Sequence, residues 1–225
     1  MASKTSTGQR IAIWVILGFT VLSTVALYAG VVVGQNNANK EAREQQKQME
    51  RYQELVNEYQ AKVDKRADEL SAKYYDLFKD YEKSPKSFNA ANVKELKVKD
   101  LKIGDGAEIT EDSTDFYAYY IGWKPDGEVF DSSFDEGKLK IPLAAKKTGD
   151  SWGVIDGWSE GVMGMRIGGI RELTIPADKA YGESGFPNEE DKSKNIDPNT
   201  PLKFVIMLIP KFEQIPQPDF SELGL

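Results

Sequence analysis

The 225-residue chain contains neither cysteine nor histidine. Lack of cysteine removes disulfides, a thiolate nucleophile and any Cys-based metal site. Lack of histidine removes the usual general base and the commonest metal ligand. Together these absences argue against a triad hydrolase or a zinc enzyme, and neither cofactor nor metal is expected. Redox compartment stays open, because a cysteine-free chain suits either side of a membrane. Basic charge is also short: 29 Lys and Arg stand against 36 Asp and Glu, for a net charge of -7. Lys4 and Arg10 are two of those 29, so the chain beyond them carries 27 basic against 36 acidic residues, about -9. That balance argues against nucleic acid as a partner.

Length suits one domain of ordinary size with accessory segments. Met1–Arg10 is polar, with two basic residues and no acid, and reads as a cytoplasmic N-terminus. Residues 11–33 (IAIWVILGFTVLSTVALYAGVVV) carry no charge. As a helix this run spans roughly 34 Å, enough for a hydrocarbon core of about 30 Å. A cleaved signal peptide is the competing reading, but its apolar region should be shorter, about 7–15 residues, and followed by a small-x-small site. The run therefore reads as an uncleaved single-pass transmembrane anchor. Lys4 and Arg10 on its N-terminal side keep that end in the cytoplasm and place the remainder on the exported side.

Glycine and proline are missing from residues 36–84, which predicts a long, charged stalk helix. Met49, Tyr52, Val56, Tyr59 and Val63, then Ala67, Leu70, Tyr74, Leu77 and Tyr81, form a heptad seam with one four-residue stutter. Three readings follow: a parallel homo-oligomeric coiled coil, a helix folded back on its own domain or paired with another protein, or a solitary spacer. Ser84-Pro85 stops the helix, and residues 85–92 read as a linker.

A globular domain is expected over 93–212. Short strands are predicted at 96–103, 114–121, 128–132, 171–175 and 202–209, with one short helix near 154–161. Pro125-Asp126-Gly127 has the chemistry of a turn between the second and third strands. The pattern is that of an α+β domain, an antiparallel sheet curled over one short helix. The tail, 213–225, contains Ile215-Pro216 and Gln217-Pro218; it reads as a disordered end or as an occupant of a pocket.

Within this domain four segments stand in order: YAYYIGWKPDGEVFDSS (Tyr117–Ser133), VIDGWSEGV (Val154–Val162), GVMGMRIGGIRELTIPADKAYGESG (Gly161–Gly185) and LKFVIML (Leu202–Leu208). In this order and spacing they resemble the FKBP family of peptidyl-prolyl cis-trans isomerases. The resemblance implies an FKBP-like fold and proline-containing polypeptide segments as partners. It implies that Trp158 floors an apolar pocket and that Tyr120, Phe130, Val154, Ile155 and Phe204 wall it. Residues 139–143 resemble the short strand that lines one wall in the family, where Leu139 and Ile141 would replace residues that are often aromatic. Phe186 would flank the rim and Ile196 would match a rim residue. The Ile155 N–H and the Tyr181 hydroxyl would each donate to a substrate carbonyl. Asp131 would sit at the edge, bonded to Tyr120, so that Asp131, Tyr181, Tyr120 and Phe130 form the catalytic set. Phe134-Asp135-Glu136, Asp156 and Glu172 depart from a family pattern that is more often basic or neutral there. Two functions stay open: an isomerase that assists folding of exported or membrane proteins, and an FKBP-like binding module acting through the stalk.

Overall fold

The computed structural model describes residues 35–149, 152–189 and 191–221. The expected anchor, residues 11–33, lies outside them. Among the described residues no helix is long and apolar enough to cross a membrane. The chain forms two compact units, a larger one over Lys65–Glu213 and a smaller one that includes Gln35–Asp64 and Gln214–Ser221.

The long helix α1 covers Gln35–Phe78, with neither glycine nor proline to interrupt it. Its outer face is charged and held by close pairs such as Arg51–Glu54 (2.7 Å), each worth only a few tenths of a kcal/mol. The helix ends at Phe78, earlier than expected, and a 3₁₀ turn carries Lys79–Lys83.

In the larger unit the strands are β1 (Lys97–Lys102), β2 (Asp115–Trp123), β3 (Val129–Ser132), β4 (Phe134–Asp135), β5 (Lys138–Leu139), β6 (Leu143–Lys146), β7 (Ile170–Ile175) and β8 (Leu202–Ile209). A second helix, α2, covers Asp156–Gly161. The main sheet is antiparallel, in the order β1-β7-β8-β2-β3, with β6 also paired to β2. The long strand β2 shares one edge with β8 over seven residue pairs, from Tyr117–Ile209 to Trp123–Lys203. Its other edge takes β6 opposite Asp115–Ala118 and β3 opposite Ile121–Trp123. The β2–β3 turn uses the expected residues. Gly127 N–H donates to Lys124 C=O at 2.9 Å, and the φ of Gly127 is +92°, which glycine tolerates best.

Strand alternation divides this unit into two cores. Phe116 and Ala118 of β2 and Phe204, Ile206 and Leu208 of β8 face α2 in the first, with Tyr120 packed at its edge. Tyr117, Tyr119, Ile121 and Trp123 face the other way, with Val205, Met207 and Ile209. That second face is covered by the end of α1: Tyr74 and Phe78 belong to the same core, with Leu70, Tyr75 and Tyr81 against it. Phe78 is fully buried and stacks on Phe134 at 5.2 Å. Burying a side chain of this size contributes roughly 1.5–3 kcal/mol.

The expected seam is therefore corrected over these turns. Leu77 is 51% exposed, whereas Phe78, one residue off the seam, is buried, as is Ser71. A broad sheet face asks for a wider helical stripe than a two-stranded coiled coil does. The linker is also anchored: Trp123 Nε1 donates to Lys86 C=O (3.1 Å), and Phe88 N–H donates to Pro125 C=O (2.9 Å).

Candidate active site

The first core opens at one end into a cluster of aromatic rings. Tyr120 and Trp158 meet edge-to-face at 5.1 Å, Trp158 and Phe204 at 5.3 Å, and Phe130 and Phe204 at 5.5 Å. Such pairs favour this edge-to-face geometry because the ring edge is positive and the ring face negative. Each ring comes from a different local cause. Tyr120 and Phe204 share the core-facing parity of adjacent strands. Phe130 reaches in from β3. Trp158 sits in the first turn of α2, where the carbonyl of Ile155 accepts from the Trp158 and Ser159 N–H groups at 2.9 and 3.2 Å.

Gly122 makes room for two of these rings. A Cβ there would come within 2.5 Å of Phe204 and 3.0 Å of Phe130. Gly157 likewise lets α2 approach β7, since its Cβ would lie 2.3 Å from Ile175 Cγ2.

Asp131 stands at the edge of this cluster. The Tyr120 hydroxyl donates to Asp131 Oδ2 at 2.6 Å, and the Ser132 N–H donates to Oδ1 at 2.9 Å. Both carboxylate oxygens thus have donors, and because Asp131 is itself exposed at the rim these bonds fix its position rather than offset burial. Burial, and next the charge of Asp131, raise the Tyr120 phenol well above its ordinary range. Burial first, and Asp131 second, push the Tyr181 phenol up to about 12. Both hydroxyls therefore remain protonated donors at neutral pH.

The structure brings together Tyr120, Phe130, Asp131, Trp158 and Phe204. Val154, Ile155, Tyr181 and Phe186 pack half-buried against the same core. The Tyr181 and Phe186 rings lie 5.0 Å apart. Ile196 is buried in this core and bridges Phe186 backbone to backbone. One expected wall residue is elsewhere. Leu139 belongs to the second core, with its N–H donating to Ser71 Oγ of α1 at 2.9 Å. The β4–β5 hairpin turns it onto the face that α1 covers. Ile141 is 37% exposed.

Three supporting residues escaped the sequence reading. Ser133 is buried and ties β3 to β2, with Oγ accepting from the Tyr120 N–H at 2.9 Å. Trp152, in the polar connection before α2, is buried 5.2 Å from Phe116. Arg171 is buried on β7, bidentate to Asp100 at 2.6 and 3.1 Å. Its Nη1 donates to the Gly161 and Met163 carbonyls at 2.8 and 3.0 Å, closing the C-terminus of α2. Arg171 shares strand parity with Leu173 and Ile175, and that parity was the available signal. Among the described residues no cluster of acidic side chains is placed to hold a metal ion.

An antiparallel sheet wrapped on a short helix, with an aromatic cluster at one end and one hydrogen-bonded carboxylate at its edge, defines an α+β domain of a recognisable class. Residues 106–209 match the family model of the FKBP-type peptidyl-prolyl cis-trans isomerase. A probable FK506-binding protein of Corynebacterium glutamicum is 40% identical over 93 residues, covering 40% of this chain and 71% of that protein. An FK506-binding protein of Neisseria meningitidis serogroup B is 35% identical over 119 residues, covering 52% and 97%. Another, from Streptomyces anulatus, is 40% identical over 117 residues, covering 51% and 85%. The chain belongs to the FKBP-type peptidyl-prolyl cis-trans isomerase family.

Proposed function

We propose that the aromatic pocket takes the proline ring of a polypeptide segment and catalyses rotation about the preceding X-Pro bond. The supporting observation is the four-ring cluster with Asp131 fixed at its edge. The uncatalysed barrier, about 18–20 kcal/mol, comes from amide resonance. No covalent bond breaks and no proton transfers, so the reaction needs no histidine. The planar amide is more dipolar than the twisted one. An apolar, water-poor pocket therefore disfavours the ground state more than the transition state. The proline ring rests on Trp158 between Tyr120, Phe130 and Phe204. The Tyr181 hydroxyl and the Ile155 N–H hold flanking carbonyls and so restrict the approach geometry. Asp131, held by Tyr120 and Ser132, lies beside the rotating amide.

The test is isomerisation of short Leu-Pro and Phe-Pro peptides by the full chain in mild detergent, with FK506 titrated in. Turnover blocked by FK506 and reduced at least tenfold by Asp131→Ala and by Trp158→Ala is expected (about 1.4 kcal/mol of transition-state stabilisation). Ligand binding without turnover would make the domain a recognition module.

The same reading extends to location. Residues 11–33 anchor the chain in a membrane, with the isomerase domain on the exported side, where it assists folding of exported or membrane proteins. The uncharged run and the Lys4/Arg10 flank support this. Because the chain lacks cysteine, single substitutions Ser3→Cys and Ser184→Cys report on topology. Only Ser184→Cys should react with an impermeant maleimide in intact cells, and the opposite pattern would reverse the orientation.

A further inference from the structure

The smaller unit shows how the seam of α1 is used. In Gln35–Asp64 the seam residues Met49, Val56, Tyr59 and Val63 are half-buried, while Glu50, Gln53, Glu54, Asn57, Glu58, Gln60 and Lys62 around them are exposed. Tyr52 is only 7% exposed. A tyrosine on a lone helix would be largely open to water. Here the ring of Phe220, in the tail, covers it at 5.0 Å with a 34° tilt.

The tail has the build of a strap. Residues 210–220 form no helix or strand, and Pro216 and Pro218 restrict the backbone. Ile215 and Pro218 are half-buried, while Pro216 and Gln217 are exposed. That three-residue period is the period of a polyproline II segment, with one apolar edge turned inward. Seven residues, 214–220, extend about 22 Å at roughly 3.1 Å each. The seam from Met49 to Val63 rises about 21 Å, so strap and seam are matched in length. Asp219 Oδ1 accepts from the Ser221 N–H at 2.9 Å, which turns the chain just beyond Phe220.

We infer that the seam Met49–Val63 is a homodimerisation surface, and that the chain's own C-terminal strap, seated through Phe220, keeps it closed. The competing occupant is the seam of a second copy. Its 3,4-spaced apolar residues are the pattern that packs knobs into holes, and a membrane-bound chain would present copies at high local concentration. Strap and partner would cover the same Tyr52 ring, so they exclude one another. A partner that removes the strap would convert a single helix into a paired one without touching the pocket.

The experiment uses the full chain in mild detergent, as it stands, with Phe220→Ala, and truncated after Glu213. Mass by light scattering and disulfide trapping through Val56→Cys, unambiguous in a cysteine-free chain, are read together. The intact chain should be monomeric with little trapped dimer. Both strap variants should show about a doubling of protein mass and rapid trapping. A peptide of residues 213–225 added in trans should restore the monomer. Equal mass in all three proteins, or a dimer already present in the intact chain, would overturn the inference. Loss of helical circular dichroism in the strap variants without dimer formation would overturn it too, leaving the strap as a prop. Peptide isomerisation, read in parallel, should be unchanged in both variants, so failure here is separable from failure of the pocket assignment.

Discussion

Tyr119 offers a sharp test of the second core. It lies in the middle of β2, fully buried, and among the described residues its hydroxyl has no hydrogen-bond partner. Its nearest ring neighbour is Tyr74 of α1, at 6.0 Å. An unpaired buried hydroxyl costs roughly 1–3 kcal/mol in lost solvation. Tyr119→Phe removes that cost while keeping the ring, and forfeits only the dispersion contacts of one oxygen. We expect a net gain of about 1 kcal/mol, equivalent to a melting rise of about 2–4 °C for a unit of this size. Tyr117→Phe is the matched control. Its hydroxyl donates to Asp115 Oδ2 at 3.2 Å, so its removal should cost about 0.5–1.5 kcal/mol. Urea unfolding followed by tryptophan fluorescence measures both. A Tyr119→Phe protein less stable by 1 kcal/mol or more would refute the reasoning, because it would mean that the hydroxyl is satisfied in solution.

Three further outcomes are expected. Gly122→Ala drives a methyl group into Phe204 and Phe130, so it should lower stability by about 1–3 kcal/mol and reduce kcat/KM for a Leu-Pro peptide; an unchanged rate and melt would contradict the packing described. Arg171→Gln leaves Asp100 and the Gly161 and Met163 carbonyls without their donor, for a loss of roughly 2–4 kcal/mol by chemical denaturation. Arg171→Lys should recover little of it, since one ammonium cannot reproduce the planar fork. With respect to pH, the folded-state Tyr181 phenol is raised to about 12, above an unfolded value of about 10. Its contribution to stability is therefore complete below pH about 10 and is lost as pH rises towards 12. Isomerisation attributable to Tyr181 as a donor should stay flat through neutral pH and fall only in that alkaline window. A fall of activity centred at about pH 10 or below that Tyr181→Phe abolishes would show that the phenol is not raised.

Much was legible in the residues themselves. The run YAYYIGWKPDGEVFDSS carries its own turn chemistry, and Gly127 takes the positive φ that this turn requires. Alternation along β2 and β8 places Tyr120 and Phe204 on one face, and the short helix after Val154 brings Trp158 beneath them. Glycines at 122 and 157 are needed only because particular rings and an isoleucine arrive from elsewhere in the chain, so their meaning appears only in three dimensions. Leu139 shows the limit most clearly. A two-residue strand has no periodicity from which to read a face, and the β4–β5 hairpin turned it towards α1.

The amino-acid pattern alone determined the long unbroken helix, the α+β domain and the aromatic character of the pocket. These follow from short-range properties: the absence of helix breakers, strand alternation and turn residues. Only the tertiary structure decided which partner each apolar face would meet. A helix with an apolar stripe can bury it against a second copy, a tail or a sheet, and the local sequence is nearly the same in each case. Here the end of α1 lies on the far face of the isomerase sheet through Tyr74 and Phe78, and Tyr52 lies under Phe220. The choice rests on long-range shape and burial, which no local window of sequence contains.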